Sequence, residues 1–341
     1  MISFECDYNN GAHPEVLRHL IETNDGQTLT YGFDEYSQRA TSKIREVCRI
    51  PDAQVYYLAG GTQTNATALD GMLRSYEAVI TAETGHINVH EATAVELSGH
   101  KVIGLPAHEG KLWASELAHF MDVFEHDESR DHMAQPGVVY ITFPTEYGTL
   151  YTADELAQIN DVCKRHDLLL FVDGARMGYG LMADGNDITL PYLSQHCAAF
   201  YIGGTKVGAL CGEALVFPKG DAPRQFFSII KRHGALMAKG RLIGVQFDAL
   251  FTDELYFKIS RHAIEMAYKM KALMERKGYR FYLDSPTNQQ FVVLPNDKMH
   301  ELEKKVIFTH WEPYDDVHTV CRFVTSWATT SADLQMLEEL L

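Results

Sequence analysis

The sequence predicts an α/β protein built on a mainly parallel seven-stranded sheet, joined to a smaller α+β domain. Three observations carry that prediction. Seven short β-rich runs appear, most of them apolar on both faces, the pattern of strands buried in a largely parallel sheet. Helical stretches separate most of these runs, and alternating β and α elements imply helices on both faces of one sheet. After Gly244 the alternation gives way to one long helix and then to short strands and helices, which marks a second unit.

The seven runs are residues 54–58, 78–81, 101–104, 138–143, 168–172, 199–202 and 214–217. Helices are expected between them over 63–75, 87–97, 113–124 and 153–166. The third is apolar at Trp113, Leu117, Phe120, Met121 and Phe124, a helical spacing that gives one buried stripe. The polar stretch 125–135, closed by Pro136 and Gly137, reads as a solvated loop. A long helix over about 253–277 ends at Gly278, a suitable residue for the left-handed turn after a helix. Strands over 279–283, 291–294 and 319–327 and helices over 297–305 and 331–341 complete the second unit.

A chain of 341 residues has room for about two domains. We place the large α/β domain at 15–245 and build the smaller one from 1–14 plus 246–341. With 30 Lys and Arg against 46 Asp and Glu, the net charge of −16 repels a phosphate backbone, which argues against a nucleic-acid partner. No apolar run approaches the roughly 20 residues that a bilayer demands, so no membrane partner is expected. The six cysteines lie far apart with no Cys-x-x-Cys, and read as ordinary thiols of a cytoplasmic protein. A secreted protein is the weaker alternative.

In an open α/β sheet, ligands bind beyond the carboxyl ends of the strands. Four of those ends are unusual. After 54–58 the glycine turn Gly60-Gly61-Thr62 opens a helix, where free N–H groups and a hydroxyl suit a phosphate. After 168–172 comes Asp173, with Arg176 close behind; an acid at the end of an apolar strand needs a cation, and Arg176 or a protonated ligand nitrogen would serve. After 199–202, glycines bracket Thr205 and Lys206, and a partly desolvated lysine is a usable nucleophile toward a carbonyl. After 78–81 stands His86, with His90 four residues on. The pair lacks the His-Glu-x-x-His order, so stacking or base chemistry by one imidazole is preferred over a metal site.

Together these parts meet the needs of pyridoxal 5′-phosphate: a lysine for a Schiff base, an anion site at a helix amino end, and a carboxylate for the pyridinium. The 33 residues from Asp173 to Lys206 (206 − 173 = 33) allow both to sit on adjacent strand ends.

From Cys6-Asp7 to Thr325-Ser326-Trp327 the chain resembles the low-specificity L-threonine aldolase (β-eliminating lyase) family of fold-type I pyridoxal-phosphate enzymes. The strongest stretches are 61–65, 172–176, 205–208 and 321–325. The resemblance implies a fold-type I, PLP-dependent transferase-like architecture. It places the Schiff base on Lys206, Asp173 at the pyridine nitrogen, Arg176 near the phenolic oxygen, His86 over the ring, and Gly61 and Thr62 at the phosphate. Arg322 would bind the substrate carboxylate, beside Cys6, where the family has a serine. The family shares active sites across a homodimer, sometimes paired into a homotetramer, which makes Tyr31 and a basic residue of Lys239-Gly240-Arg241 contributions from the neighbouring subunit. Where better-known members carry a histidine, this chain has Glu146, so the base is Glu146 or His86.

The expected reaction is retro-aldol cleavage of L-threonine or L-allo-threonine to glycine and an aldehyde. Another β-eliminating lyase, a racemase or an aminotransferase keeps the same cofactor and breaks a different bond. A non-catalytic protein of the same fold is the alternative outside enzyme chemistry.

Overall fold

The computed structural model describes residues 1–341. In chain order its main strands are β1 (Gln54–Leu58), β2 (Glu77–Ala82), β3 (Val102–Leu105), β4 (Gln135–Thr142), β5 (Leu169–Asp173), β6 (Ala199–Gly203) and β7 (Glu213–Phe217). They form one sheet in the order β1-β7-β6-β5-β4-β2-β3. Only β7 runs against its two neighbours; the other pairs are parallel. The seven expected runs are therefore the seven strands, with ends shifted by no more than three residues.

Alternation along the strands explains the two-faced burial. Val139, Ile141, Val172, Phe200, Ile202 and Val216 enter one core. Their neighbours Val138, Tyr140, Phe171, Tyr201, Leu215 and Phe217 enter a second core on the opposite face. Each such side chain contributes about 1.5–3 kcal/mol by leaving water, so both faces must be covered.

The helices doing so are α1 (Pro14–Thr23), α2 (Glu35–Cys48), α3 (Gly61–Met72), α4 (His86–Val89), α5 (Ala114–His126), α6 (Ala153–Arg165), α7 (Met177–Met182), α8 (Leu190–His196), α9 (Phe226–Arg232) and α10 (Arg241–Leu250). Helix α6 opens on a capping box in which the Thr152 hydroxyl and the Glu155 carboxylate satisfy each other's backbone N–H groups. Trp113, expected in the α5 stripe, stands before the helix instead and stacks on His108 with ring centroids 3.7 Å apart. The helix expected over 87–97 does not form as one piece: α4 stops at Val89, and only a single 3₁₀ turn, Glu96–Ser98, follows.

Beyond α10 comes the long α11 (Leu255–Arg276), then β8 (Arg280–Phe281), β9 (Gln289–Pro295), α12 (Asn296–Leu302), β10 (Thr309–Asp315), β11 (His318–Val324) and α13 (Ser331–Leu340). These strands make an antiparallel sheet in the order β8-β9-β11-β10. Strand β10 had no counterpart in the sequence reading, because Glu312, Pro313 and Asp315 break its apolar alternation. A third core joins both chain ends: Phe4 packs with Met270, Val292, Phe323 and Leu337. Residue 245 falls inside α10, whose Ile243, Phe247 and Leu250 belong to the first core. The passage between cores runs along α11, from Tyr256 and Ile259 in the first to Met266 and Met270 in the third.

Candidate active site

A cavity of about 250 Å³ opens beyond the carboxyl ends of the parallel strands. Eight residues singled out in the sequence line it: Gly61, Thr62, His86, Glu146, Asp173, Arg176, Thr205 and Lys206. At one end α3 begins without a side-chain cap, since its N-terminal flanking residue is Gly60. The first-turn N–H groups of Gly61 and Thr62 thus have no side-chain acceptor, and the helix dipole adds a positive field there.

Asp173 ends β5 and is buried. Its carboxylate accepts from the Tyr140 hydroxyl at 2.5 Å, the Asn65 amide at 2.9 Å and the Ala175 N–H at 2.9 Å. Burial pushes this carboxyl up, but the adjacent His86 and the hydrogen bonds from Tyr140, Tyr201 and Asn65 outweigh it and hold the group below its ordinary value. Arg176 is not the cation for Asp173. Its guanidinium turns to Asp7 at 2.8 and 3.0 Å, and Asn288 donates to the same carboxylate at 2.9 Å. Of the two cations that the sequence offered Asp173, the protonated ligand nitrogen is left.

Asp173 and Lys206 come together because the ends of β5 and β6 touch. A Cβ on Gly174 would lie 2.0 Å from the Tyr201 carbonyl oxygen, and one on Gly203 would lie 2.3 Å from that of Ala175. No side chain fits at either position. The Lys206 carbonyl accepts from the Tyr179 hydroxyl at 2.6 Å, which pins the backbone. Its ammonium is pushed down by burial and by the positive Arg176, against the pull of Asp7, Asp173 and Glu213.

Two buried acids complete the wall. Glu146 accepts from the His86 N–H at 2.9 Å and from the Thr142 hydroxyl at 3.0 Å, and burial pushes its carboxyl up to about 7. Glu213 accepts from the Thr205 hydroxyl at 2.7 Å and the Gly204 N–H at 2.9 Å, and burial pushes it up to about 8. Both acids therefore carry a proton for part of the time near neutral pH, which lowers the cavity's negative charge.

Arg322, Cys6 and Tyr31 do not line this cavity, nor do His90, Lys239 and Arg241. Arg322, on β11, sits 4.9 Å over the Trp311 ring and donates to Gln289 and Thr309, each at 3.3 Å. Its Nε is buried without a partner, and burial together with the positive Arg176 pushes its guanidinium down to about 10. Cys6 is buried nearby; burial pushes its thiol up, and Arg322 is among the charges acting on it. Tyr31 lines a separate apolar pocket with Phe33, Phe227 and Met237, where its N–H donates to the Ala238 carbonyl at 3.0 Å.

No sequence motif marks Tyr8, Thr142, Thr145, Tyr201 and Glu213 on the cavity wall, or Tyr140 and Glu91 behind it, where Asn65 of the 61–65 stretch joins them. A usable signal existed for three of them. Tyr140, Tyr201 and Glu213 are polar groups placed inside apolar strands, which demands a partner. Arg176–Asp7 spans 169 residues of chain and has no local signal.

The beta-eliminating lyase family model matches residues 6–284. A low-specificity L-threonine aldolase of Pseudomonas aeruginosa is 28% identical over 341 residues, covering 99% of this chain and 95% of its own. The solved structure of a threonine aldolase from Leishmania major is 39% identical, with a TM-score of 0.95 over 100% of this chain and 98% of its own. A putative L-allo-threonine aldolase from Listeria monocytogenes gives a TM-score of 0.74 over 100% of this chain and 95% of its own, at 16% identity, a likeness of fold alone.

Proposed function

The chain belongs to the beta-eliminating lyase family, and from that premise we propose that it is a pyridoxal-phosphate-dependent lyase that cleaves L-threonine or L-allo-threonine to glycine and acetaldehyde. The observation that carries this reading is Asp173, an ionised carboxylate facing the cavity with no Lys or Arg partner. It fits the protonated nitrogen of a pyridine ring. The rest of the cavity fits the same group: the uncapped start of α3 and the Thr62 hydroxyl suit its phosphate, and Lys206 is the amine for covalent attachment. The orphaned Nε of Arg322 suits the carboxylate of an amino acid, since a planar fork binds two oxygens at once.

When bound, the cofactor supplies an electron sink for the pair left as the Cα–Cβ bond breaks. The chain's own residues do the remainder. Arg322, near enough to the cavity to feel the charge of Arg176, would hold the substrate carboxylate and so orient the amino acid. Asp173 keeps the ring nitrogen protonated, which sustains the sink. Glu146 takes the proton from the side-chain hydroxyl as the bond from Cβ to oxygen becomes a carbonyl, and Cα gains a proton to give glycine. A carboxyl held near 7 suits that transfer, because it is ionised at pH 8 and basic enough to accept. His86 orients Glu146 through its backbone N–H and would stack on the ring.

The same reading makes the enzyme a cytoplasmic homodimer or homotetramer. Supporting it are the exposed Tyr31, Phe33 and Phe227 of the second pocket, an apolar patch that a second copy would cover. No helix is long and apolar enough to cross a membrane, and all six cysteines are free thiols. The test is direct: purified protein with pyridoxal phosphate and L-threonine should release glycine and acetaldehyde in equal amounts, and Lys206→Ala should not. 2-Oxobutanoate and ammonia, the products of β-elimination from threonine, or another keto acid in place of the aldehyde would refute the reading.

A further inference from the structure

Glu91 is the acid of the buried polar network that lies behind the cavity wall. Its side chain is fully buried, its Oε2 has no partner, and its basic partner is His86. Oε1 lies 2.7 Å from His86 Nδ1 and also accepts from the Asn65 amide at 2.7 Å. The same Asn65 amide donates to Asp173 at 2.9 Å, so one side chain ties Glu91 to the acid at the pyridine position. A buried carboxylate that leaves one oxygen unpaired is destabilising, and packing alone gives no reason to keep it.

The backbone is bent to deliver it. In a continuous helix five residues turn the chain through about 500°, which would leave Glu91 about 140° round from His86. The helix instead stops at Val89, where His90 (φ −126°, ψ 8°) breaks the turn ahead of Glu91, and beyond Glu91 both Ala92 (φ 48°) and Thr93 (φ 62°) enter the left-handed region. For Thr93, branched at Cβ, that conformation is strained. Strain of this kind persists where surrounding structure imposes it, and it clusters at functional sites.

We propose that Glu91 is the positioning residue for His86: it accepts the Nδ1 proton, fixes the ring in one tautomer with Nε2 facing the cavity, and through Asn65 holds that ring in register with Asp173. The proposal rests on reading this cavity as the active site. It differs from the role of Glu146, which lies on the cavity wall; Glu91 lies behind it and acts only through His86 and Asn65.

The test uses the full-length protein with ¹⁵N-labelled histidine, before and after loading with pyridoxal phosphate, and the variants Glu91→Gln and Glu91→Asp. His86→Asn assigns the signal. Before loading, the unsubstituted protein should show one His86 species with Nδ1 protonated. Glu91→Gln, equal in size but able to donate as well as accept, should give a mixture of tautomers. It should also lower kcat for threonine by about 100-fold or more, as when the acid orienting a catalytic histidine becomes an amide, with KM changed less than threefold. Glu91→Asp, one methylene short, should recover part of kcat. A purely structural role would lower the melting temperature and leave the tautomer and kcat of the folded protein as they were, which would overturn the proposal. So would an unprotonated Nδ1 in the unsubstituted protein, a result that stands even if Glu91→Gln fails to fold. Absence of threonine cleavage would refute the proposed reaction, while the nitrogen signals would still decide the role of Glu91.

Discussion

Glu146→Gln should make the protein more stable and nearly inactive. Burial raises the Glu146 carboxyl from 4.5 to about 7. An unfolded chain releases that proton from pH 4.5 upward, whereas the folded protein keeps it until about 7. Between those values the unfolded state binds fewer protons, so native stability falls as pH rises, and above 7 the loss is complete. A difference of roughly 2.5 units corresponds to about 3 kcal/mol at pH 8, at 1.36 kcal/mol per unit. Glutamine removes that penalty and still satisfies the site: its carbonyl can accept from the His86 N–H, and its amide can donate to the Thr142 hydroxyl, which rotates to accept. Urea unfolding of both proteins at pH 5 and pH 8 should show a gain of about 2–3 kcal/mol at pH 8 and a much smaller one at pH 5. The kcat for threonine should fall by about 100-fold or more, within the usual range for a lost general base. In the unsubstituted enzyme kcat/KM should fall tenfold per unit as pH drops below 7, and the variant should lose that limb. An equal stability change at both pH values, or threonine cleavage within tenfold of the original, would refute the assignment and move the base to His86.

Asp173→Asn should leave the fold and cofactor attachment at Lys206 in place but lower kcat by about 100-fold or more, because an amide cannot hold the ring nitrogen protonated; absorbance after loading reports attachment, and a stopped assay reports the rate. Arg322→Lys should raise KM for threonine by about tenfold or more with a smaller change in kcat, since an ammonium gives one contact where a guanidinium gives two. Steady-state kinetics over a range of threonine concentrations separates the two constants, and an unchanged KM would remove Arg322 from substrate binding.

The parts of the site that the sequence made legible share one physical property. Asp173, Lys206, His86 and the Gly61–Thr62 turn all stand where a run of apolar residues stops, and a polar group there is conspicuous because the strand before it has no use for one. The sheet itself was legible for the same reason, since strands buried on both faces cannot be hidden in a sequence. What escaped was of two kinds. Tyr140 and Tyr201 sit inside strands and read as core aromatics, yet their hydroxyls face Asp173; only the need of a buried hydroxyl for a partner marks them. Arg176 and Asp7 lie 169 residues apart in the chain, so their pairing follows from the route of the backbone.

The failure over 87–97 belongs to neither kind. Its residues are acceptable in a helix, and the local preference predicts one. The folded protein overrides that preference by leaving the helix at His90, and the Glu91 carboxylate comes to lie 2.7 Å from the His86 ring. A disagreement between local propensity and final structure is informative when the displaced segment carries an otherwise unexplained buried charge. On the role proposed for His86, the break in the helix and the buried carboxylate of Glu91 serve one requirement: an imidazole on the cavity wall is held from behind.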